Sequence, residues 1–114
     1  MKMRYGFAVV LLAQAAVAAP GVIFVDPDHL RQSALRLCAR EYPTDFTMQG
    51  ACRRNFEAGA SSYDKIAERY AHVPEMQLAL HQCIRDYSDG SYIDYAMLGA
   101  CARNQEQGYL EMRR

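Results

Sequence analysis

Apolar residues recur at spacings of three and four along most of the chain after residue 26, the pattern of helices that each bury one face. Leu30, Ala34, Leu37, Cys38 and Tyr42 fall on one side of a first helix. Asp26-Pro27 predicts its start, because aspartate is a good N-cap and proline suits the first helical position. Pro43 predicts its end. Cys52, Phe56, Gly59, Tyr63, Ile66 and Tyr70 then alternate spacings of four and three, a stripe of coiled-coil type. A second helix is expected from Asp45, or from Thr44 as cap, to about Ala71, ahead of Pro74. Gly59 with Ser61-Ser62 is a candidate interruption. The stripe keeps its phase through that point, so a continuous or kinked helix is expected. Met76, Leu80, Cys83 and Tyr87 mark a third helix that opens near Pro74-Glu75. Ser88-Asp89-Gly90 is turn chemistry. A fourth helix starts at Ser91 or Asp94 and is expected to bury Met97, Leu98, Cys101, Gln105, Gly108 or Tyr109, and Met112. The expected ranges are 27–42, 45–71, 75–88 and 92–112. The one β-like run, Gly21 to Val25, is too short and isolated for a sheet.

The four helices come from one unit written twice. Leu35, Cys38, Arg40, Glu41 and Tyr42 recur at the same spacings as Leu80, Cys83, Arg85, Asp86 and Tyr87. After a gap, Asp45, Phe46, Met48, Gly50, Ala51, Cys52, Arg54, Asn55, Glu57 and Gly59 recur as Asp94, Tyr95, Met97, Gly99, Ala100, Cys101, Arg103, Asn104, Glu106 and Gly108. Only the gap differs, Pro43-Thr44 in the first copy and Ser88 to Ile93 in the second. A length change confined to one place marks a loop between two regular elements. Each copy is therefore a helical hairpin, with repeats over about 27–71 and 75–112. Gly59 and Gly108 read as gaps on the stripes where a larger side chain would pack.

The first 18 residues read as a secretory signal peptide. Lys2 and Arg4 form a basic start, Phe7 to Val17 an apolar stretch broken only by Gln14, and Ala16-Val17-Ala18 a small-x-small cleavage site. An uncleaved anchor is the competing reading, but Pro20-Gly21 interrupts the apolar run short of the roughly 20 residues a membrane helix needs. Cleavage leaves residues 19–114 as a single small helical domain of 96 residues with no membrane span. Loss of Lys2 and Arg4 takes the basic count from 13 to 11 against 13 acidic residues, a formal charge of −2. That is no footprint for nucleic acid. A periplasmic or secreted location follows, with an envelope or extracellular protein as the expected partner.

All four cysteines, Cys38, Cys52, Cys83 and Cys101, lie beyond the leader, and an even count in an exported chain implies disulfides. Three connectivities exist for four cysteines. The repeat favours Cys38–Cys52 with Cys83–Cys101, since each unit then closes on itself. The expected fold is all-α, two disulfide-stapled hairpins forming a small four-helix domain.

Signals for chemistry are sparse. His29, His72 and His81 share no ligand spacing, so no metal is implied. Met48, Met76, Met97 and Met112 are soft ligands of the kind copper handling uses, but they lie on or beside apolar faces, where methionine fills gaps. The cysteines lack the C-x-x-C spacing of redox centres. No catalytic nucleophile, phosphate loop or cofactor is indicated. Arg54-Asn55 and Arg103-Asn104 are polar pairs kept in both copies. As structure, they would join Arg40 or Arg85 facing Asp45 or Asp94, and Glu–Arg pairs at helical spacing, in holding each hairpin. As function, they are two equivalent contact sites for a partner. Tyr92 and Tyr95, in the longer second loop, are the tyrosines expected to be exposed, and tyrosine suits interfaces.

The repeated string Cys–x–Arg–acidic–Tyr, a gap, then Asp–aromatic–x–Met–x–x–x–Cys resembles a pattern in short exported bacterial proteins of no established activity. The resemblance covers nearly all of residues 35–112 and implies a helical-hairpin unit. The chain also looks like the twin-cysteine hairpins of the mitochondrial intermembrane space, but those use matching, shorter spacings and two bridges in one hairpin. Here 13 and 17 residues intervene. The function expected is a non-enzymatic binding or accessory protein, an envelope factor or inhibitor. The alternative is periplasmic thiol-redox or metal (copper) handling.

Overall fold

A computed structural model describes residues 21–114, and the signal-peptide reading of residues 1–18 lies outside them. Four helices form: α1 (Pro27–Glu41), α2 (Phe46–Arg69), α3 (Pro74–Asp86) and α4 (Tyr95–Met112). The helix starts are chemical. Asp26 accepts from the Asp28 amide at 3.1 Å, Asp45 from Met48 at 3.0 Å, and Asp94 from Met97 at 3.2 Å, each satisfying an amide with no partner inside its helix. Pro74 occupies the first turn of α3 behind Val73, which offers no side-chain cap. Helix α2 runs unbroken through Gly59 and Ser61-Ser62. Its C-terminus is tied by Gln77, whose buried amide donates to the carbonyls of Tyr70 at 2.8 Å and Ala67 at 3.4 Å.

The bridges are Cys38–Cys52 and Cys83–Cys101, one within each hairpin, with no free cysteine among the described residues. The protein is thus all-α, with two stapled hairpins around one core. That core is Ala34, Leu37, Cys38, Phe56, Ala60, Tyr63, Ile66, Ala67, Tyr70, Met76, Leu80, Cys83, Tyr95, Leu98 and Ala102. No described helix is long and apolar enough to cross a membrane.

The stripes expected of α1, α2 and α3 supply most of this core. That of α4 does not. Its buried face is Tyr95, Leu98, Gly99 and Ala102, while Met97, Gln105, Gly108 and Met112 are exposed. The reason is a close crossing of α2 and α4. A Cβ on Gly59 would lie 2.0 Å from the Tyr95 carbonyl oxygen, and one on Gly99 would lie 2.5 Å from the Gly59 backbone. Backbone meets backbone there, so Gly59 is a filled contact, not the gap that the stripe predicted. Gly108 faces open space.

The longer loop of the second copy also does more than connect. Ser88–Asp89 and Tyr92–Ile93 form two short antiparallel strands, β1 and β2, around Gly90-Ser91. Gly90 has φ +64°, the positive φ that a tight two-residue hairpin turn requires at its first central position. This hairpin docks on α1 of the other unit. The buried Ser33 hydroxyl accepts from the Ile93 amide at 3.2 Å. His29 bridges further: its Nε2 lies 2.6 Å from the Ser91 carbonyl and its Nδ1 2.6 Å from the Tyr95 hydroxyl. A carbonyl only accepts, so Nε2 carries the hydrogen and Nδ1 accepts from Tyr95.

Burial pushes the Tyr63 and Tyr95 phenols up to about 12, and the Asp64 carboxylate nearby acts in the same direction. Both phenols ionise near 10 in the unfolded chain. Their contribution to stability is therefore complete below pH 10 and is lost as pH rises from 10 to about 12. Melting temperature should fall steeply across that window. At least two tyrosines should still be un-ionised at about pH 11 when titrated by ultraviolet absorbance; all the tyrosines ionising together near 10 would contradict the burial.

Candidate interaction surface

Helices α2 and α4 run parallel. Going up the pair, Gly59 meets Gly99, Arg103 donates to the Ser62 hydroxyl at 3.1 Å, Arg69 pairs with Glu106, and the Tyr70 and Tyr109 rings meet edge to face at 5.4 Å. Burial alone would push the Glu106 carboxyl up, but the Arg69 guanidinium and the Tyr70 hydroxyl more than offset it and hold that carboxyl low. The partner of each α2 residue lies about forty residues on, whereas its counterpart in the repeat lies forty-nine on. The two copies are thus slid past one another by nine residues, about 13–14 Å along the helices.

That slide separates the residues the sequence grouped as equivalent contacts. Arg54 and Asn55 stand near the start of α2, level with the first turn of α4. Arg103 and Asn104 stand a further turn and more along the bundle. All four are exposed. They do not form one composite patch. Arg54 folds back along its helix, its Nη1 lying 3.6 Å from where a Cβ on Gly50 would sit. Arg40 pairs with Asp89 of the second hairpin, not with Asp45, and Arg85 donates to Gln82 at 2.6 Å, not to Asp94. The Asp45 and Asp94 carboxylates are occupied as helix caps, which removes them as partners.

The two tyrosines also part company. Tyr92 is half-buried, with the Arg36 guanidinium 5.5 Å from its ring centre. Tyr95, expected to be exposed, is only 3% so. It sits at the first helical position of α4, where the ring turns in against Phe56 and the hydroxyl finds His29. Position beside a loop was a poor guide, because the loop folds down onto α1.

Met48 and Met97, unlike those pairs, do share one surface feature. These repeat-equivalent methionines, both exposed, line one cleft of about 200 Å³ with Ala51, Cys52, Asn55 and Ala96. Glu41 and Asp94 also line it, the Asp94 carboxylate already engaged as a helix cap. The cleft mixes apolar side chains with the Asn55 amide and the Glu41 carboxylate, a chemistry suited to an apolar side chain flanked by a donor or cation. Sequence reasoning had Asn55 but placed the methionines on or beside the core; their shared heptad-like position in each copy was the available signal. Among the described residues no three histidine, cysteine or acidic side chains converge as a metal site. Comparison with family models, with curated proteins and with solved structures finds no match.

Proposed function

We propose that this chain is an exported, non-enzymatic binding or accessory protein, periplasmic or secreted, that docks on an envelope or extracellular protein. The two disulfides are consistent with an oxidising compartment. The observation that carries the reading is the Met48–Asn55–Met97 cleft, in which exposed thioethers border a hydrogen-bonding amide. Methionine is over-used at adaptable binding surfaces because its unbranched, polarizable chain moulds to different partners.

The test is affinity capture from an envelope extract, with the purified protein as bait. Met48→Asp combined with Met97→Asp should abolish capture of the partner, while Leu78→Asp, at an even more exposed apolar site on α3, should retain it. All three positions are exposed, so the variants should melt near the wild type. Equal capture by both baits would remove the cleft from consideration.

A further inference from the structure

The slide between the two copies leaves two complementary faces unused. In the internal crossing, Gly59 of α2 meets the backbone of Tyr95, Ala96 and Gly99 on α4, and Phe56 meets the Tyr95 ring. A two-fold arrangement would use the matching pair as well, α4 of the second copy against the first hairpin. It is not used. Gly108, the counterpart of Gly59, meets nothing within 4 Å, and Gly50, the counterpart of Gly99, meets only Arg54.

The exposed apolar residues say the same thing from a separate observation. Phe46 is the counterpart of Tyr95, and Met112 of Tyr63. Tyr95 and Tyr63 are 3% and 2% exposed; Phe46 and Met112 are 81% and 87% exposed. They are among the most exposed apolar side chains of the described residues, and each occupies the position that the internal crossing buries. The first hairpin's trough is an open groove of about 200 Å³ lined by Ala34, Leu35, Cys38, Phe46, Gly50 and Arg53. The matching residues of the second hairpin, Leu80, Cys83, Tyr95 and Gly99, are buried.

We propose that the exposed α4 face of one molecule (Gln105, Gly108, Met112) docks in the Phe46–Gly50 groove of a second copy, repeating the internal crossing between molecules. Charge supports this pairing over other occupants. The internal bond from Arg103 to Ser62 maps onto Arg54 of one copy facing Glu111 of the next, an ion pair in place of a neutral bond. The contact is heterologous: each molecule offers a groove at one end and a helix face at the other. Assembly is therefore open-ended, not a closed dimer. It is weaker than the internal crossing. At the matching positions Arg53 stands in place of Ala102, and Gln105 in place of Phe56. The groove lies about 200° round α2 from the Met48–Asn55 cleft, so this inference stands independently of the partner reading above.

The test is sedimentation equilibrium of the purified protein from about 1 µM to about 1 mM. The mean mass should rise with concentration and pass the dimer value. Phe46→Asp blocks the groove and Met112→Asp blocks the helix face; each variant alone should stay monomeric. An equimolar mixture should form dimers and stop there, because one free groove meets one free face. Both positions are exposed, and unchanged melting will show that the variants fold. A wild type that stays monomeric at about 1 mM overturns the proposal. So does a mass that levels off at the dimer, a Met112→Asp chain that associates like the wild type, or a mixture that remains monomeric.

Discussion

Gly59→Leu should not accumulate as a folded protein, and even Gly59→Ala should be severely destabilised. The added Cβ would lie 2.0 Å from the Tyr95 carbonyl oxygen and 2.8 Å from the Ala96 Cα. Both are backbone atoms, so no side chain can rotate away; α4 must move off α2. That crossing buries Tyr63, Leu98 and Ala102 almost completely. Overpacking in cores typically costs about 1–3 kcal/mol, and a backbone collision belongs at or above the top of that range. The total available to a small domain is about 5–15 kcal/mol. The control is Gly108→Ala, on the same stripe in the other copy. Its Cβ meets nothing, so replacing a helical glycine should stabilise by about 0.5–1 kcal/mol. Thermal melts of the two variants should move in opposite directions. If both were neutral, the close crossing would be wrong.

Removing one staple should be nearly as damaging. The Cys38–Cys52 bridge closes a loop with a sequence separation of 14, and a crosslink of that length stabilises by about 3 kcal/mol through the unfolded state. Cys38→Ser with Cys52→Ser adds a second cost, because Cys38 is 2% exposed and a serine there would bury a hydroxyl. For a domain of this size each kcal/mol shifts the midpoint by about 4–8 °C. A fall of about 12–24 °C in melting temperature is expected for the double variant. Reduction of the wild type opens both bridges and should lower the midpoint further than the double variant does. A shift of only a few degrees would mean that packing alone holds the hairpin.

Much of this was legible in the chain. Asp26-Pro27, the aspartates at 45 and 94, and Pro74 placed the helix starts, because capping is local chemistry. The cysteine pairing followed from the duplication. The four–three stripe carried α2 across Gly59 without a break. The failures are non-local. Gly59 and Gly99 look like weak points in a helix until the crossing is known, and small residues on α4 were overlooked in favour of Met97 and Met112 for that reason. The Ser88–Ile93 segment was read as a turn and loop where a short β-hairpin stands, and nothing within it announces that it lies on Ser33 and His29 some 60 residues earlier. Tyr95 was placed outside on the strength of that loop. The cleft lined by Met48 and Met97 needed the packing of α4 on α2, which no single copy encodes.

The two bridges join cysteines that are consecutive in the chain, and neither loop encloses a cysteine of the other. This bears on the order of events as the chain is made. A chain that appears N-terminus first presents Cys38 and Cys52 before Cys83 exists, so the first correct bridge closes with no wrong thiol in reach. The second pair then meets in a chain whose other thiols are already spent. Nested or crossed bridges would need reshuffling through mixed disulfides, which runs on seconds to hours. Consecutive pairing lets oxidation keep pace with synthesis, and it makes the first hairpin a finished template for the second to fold against.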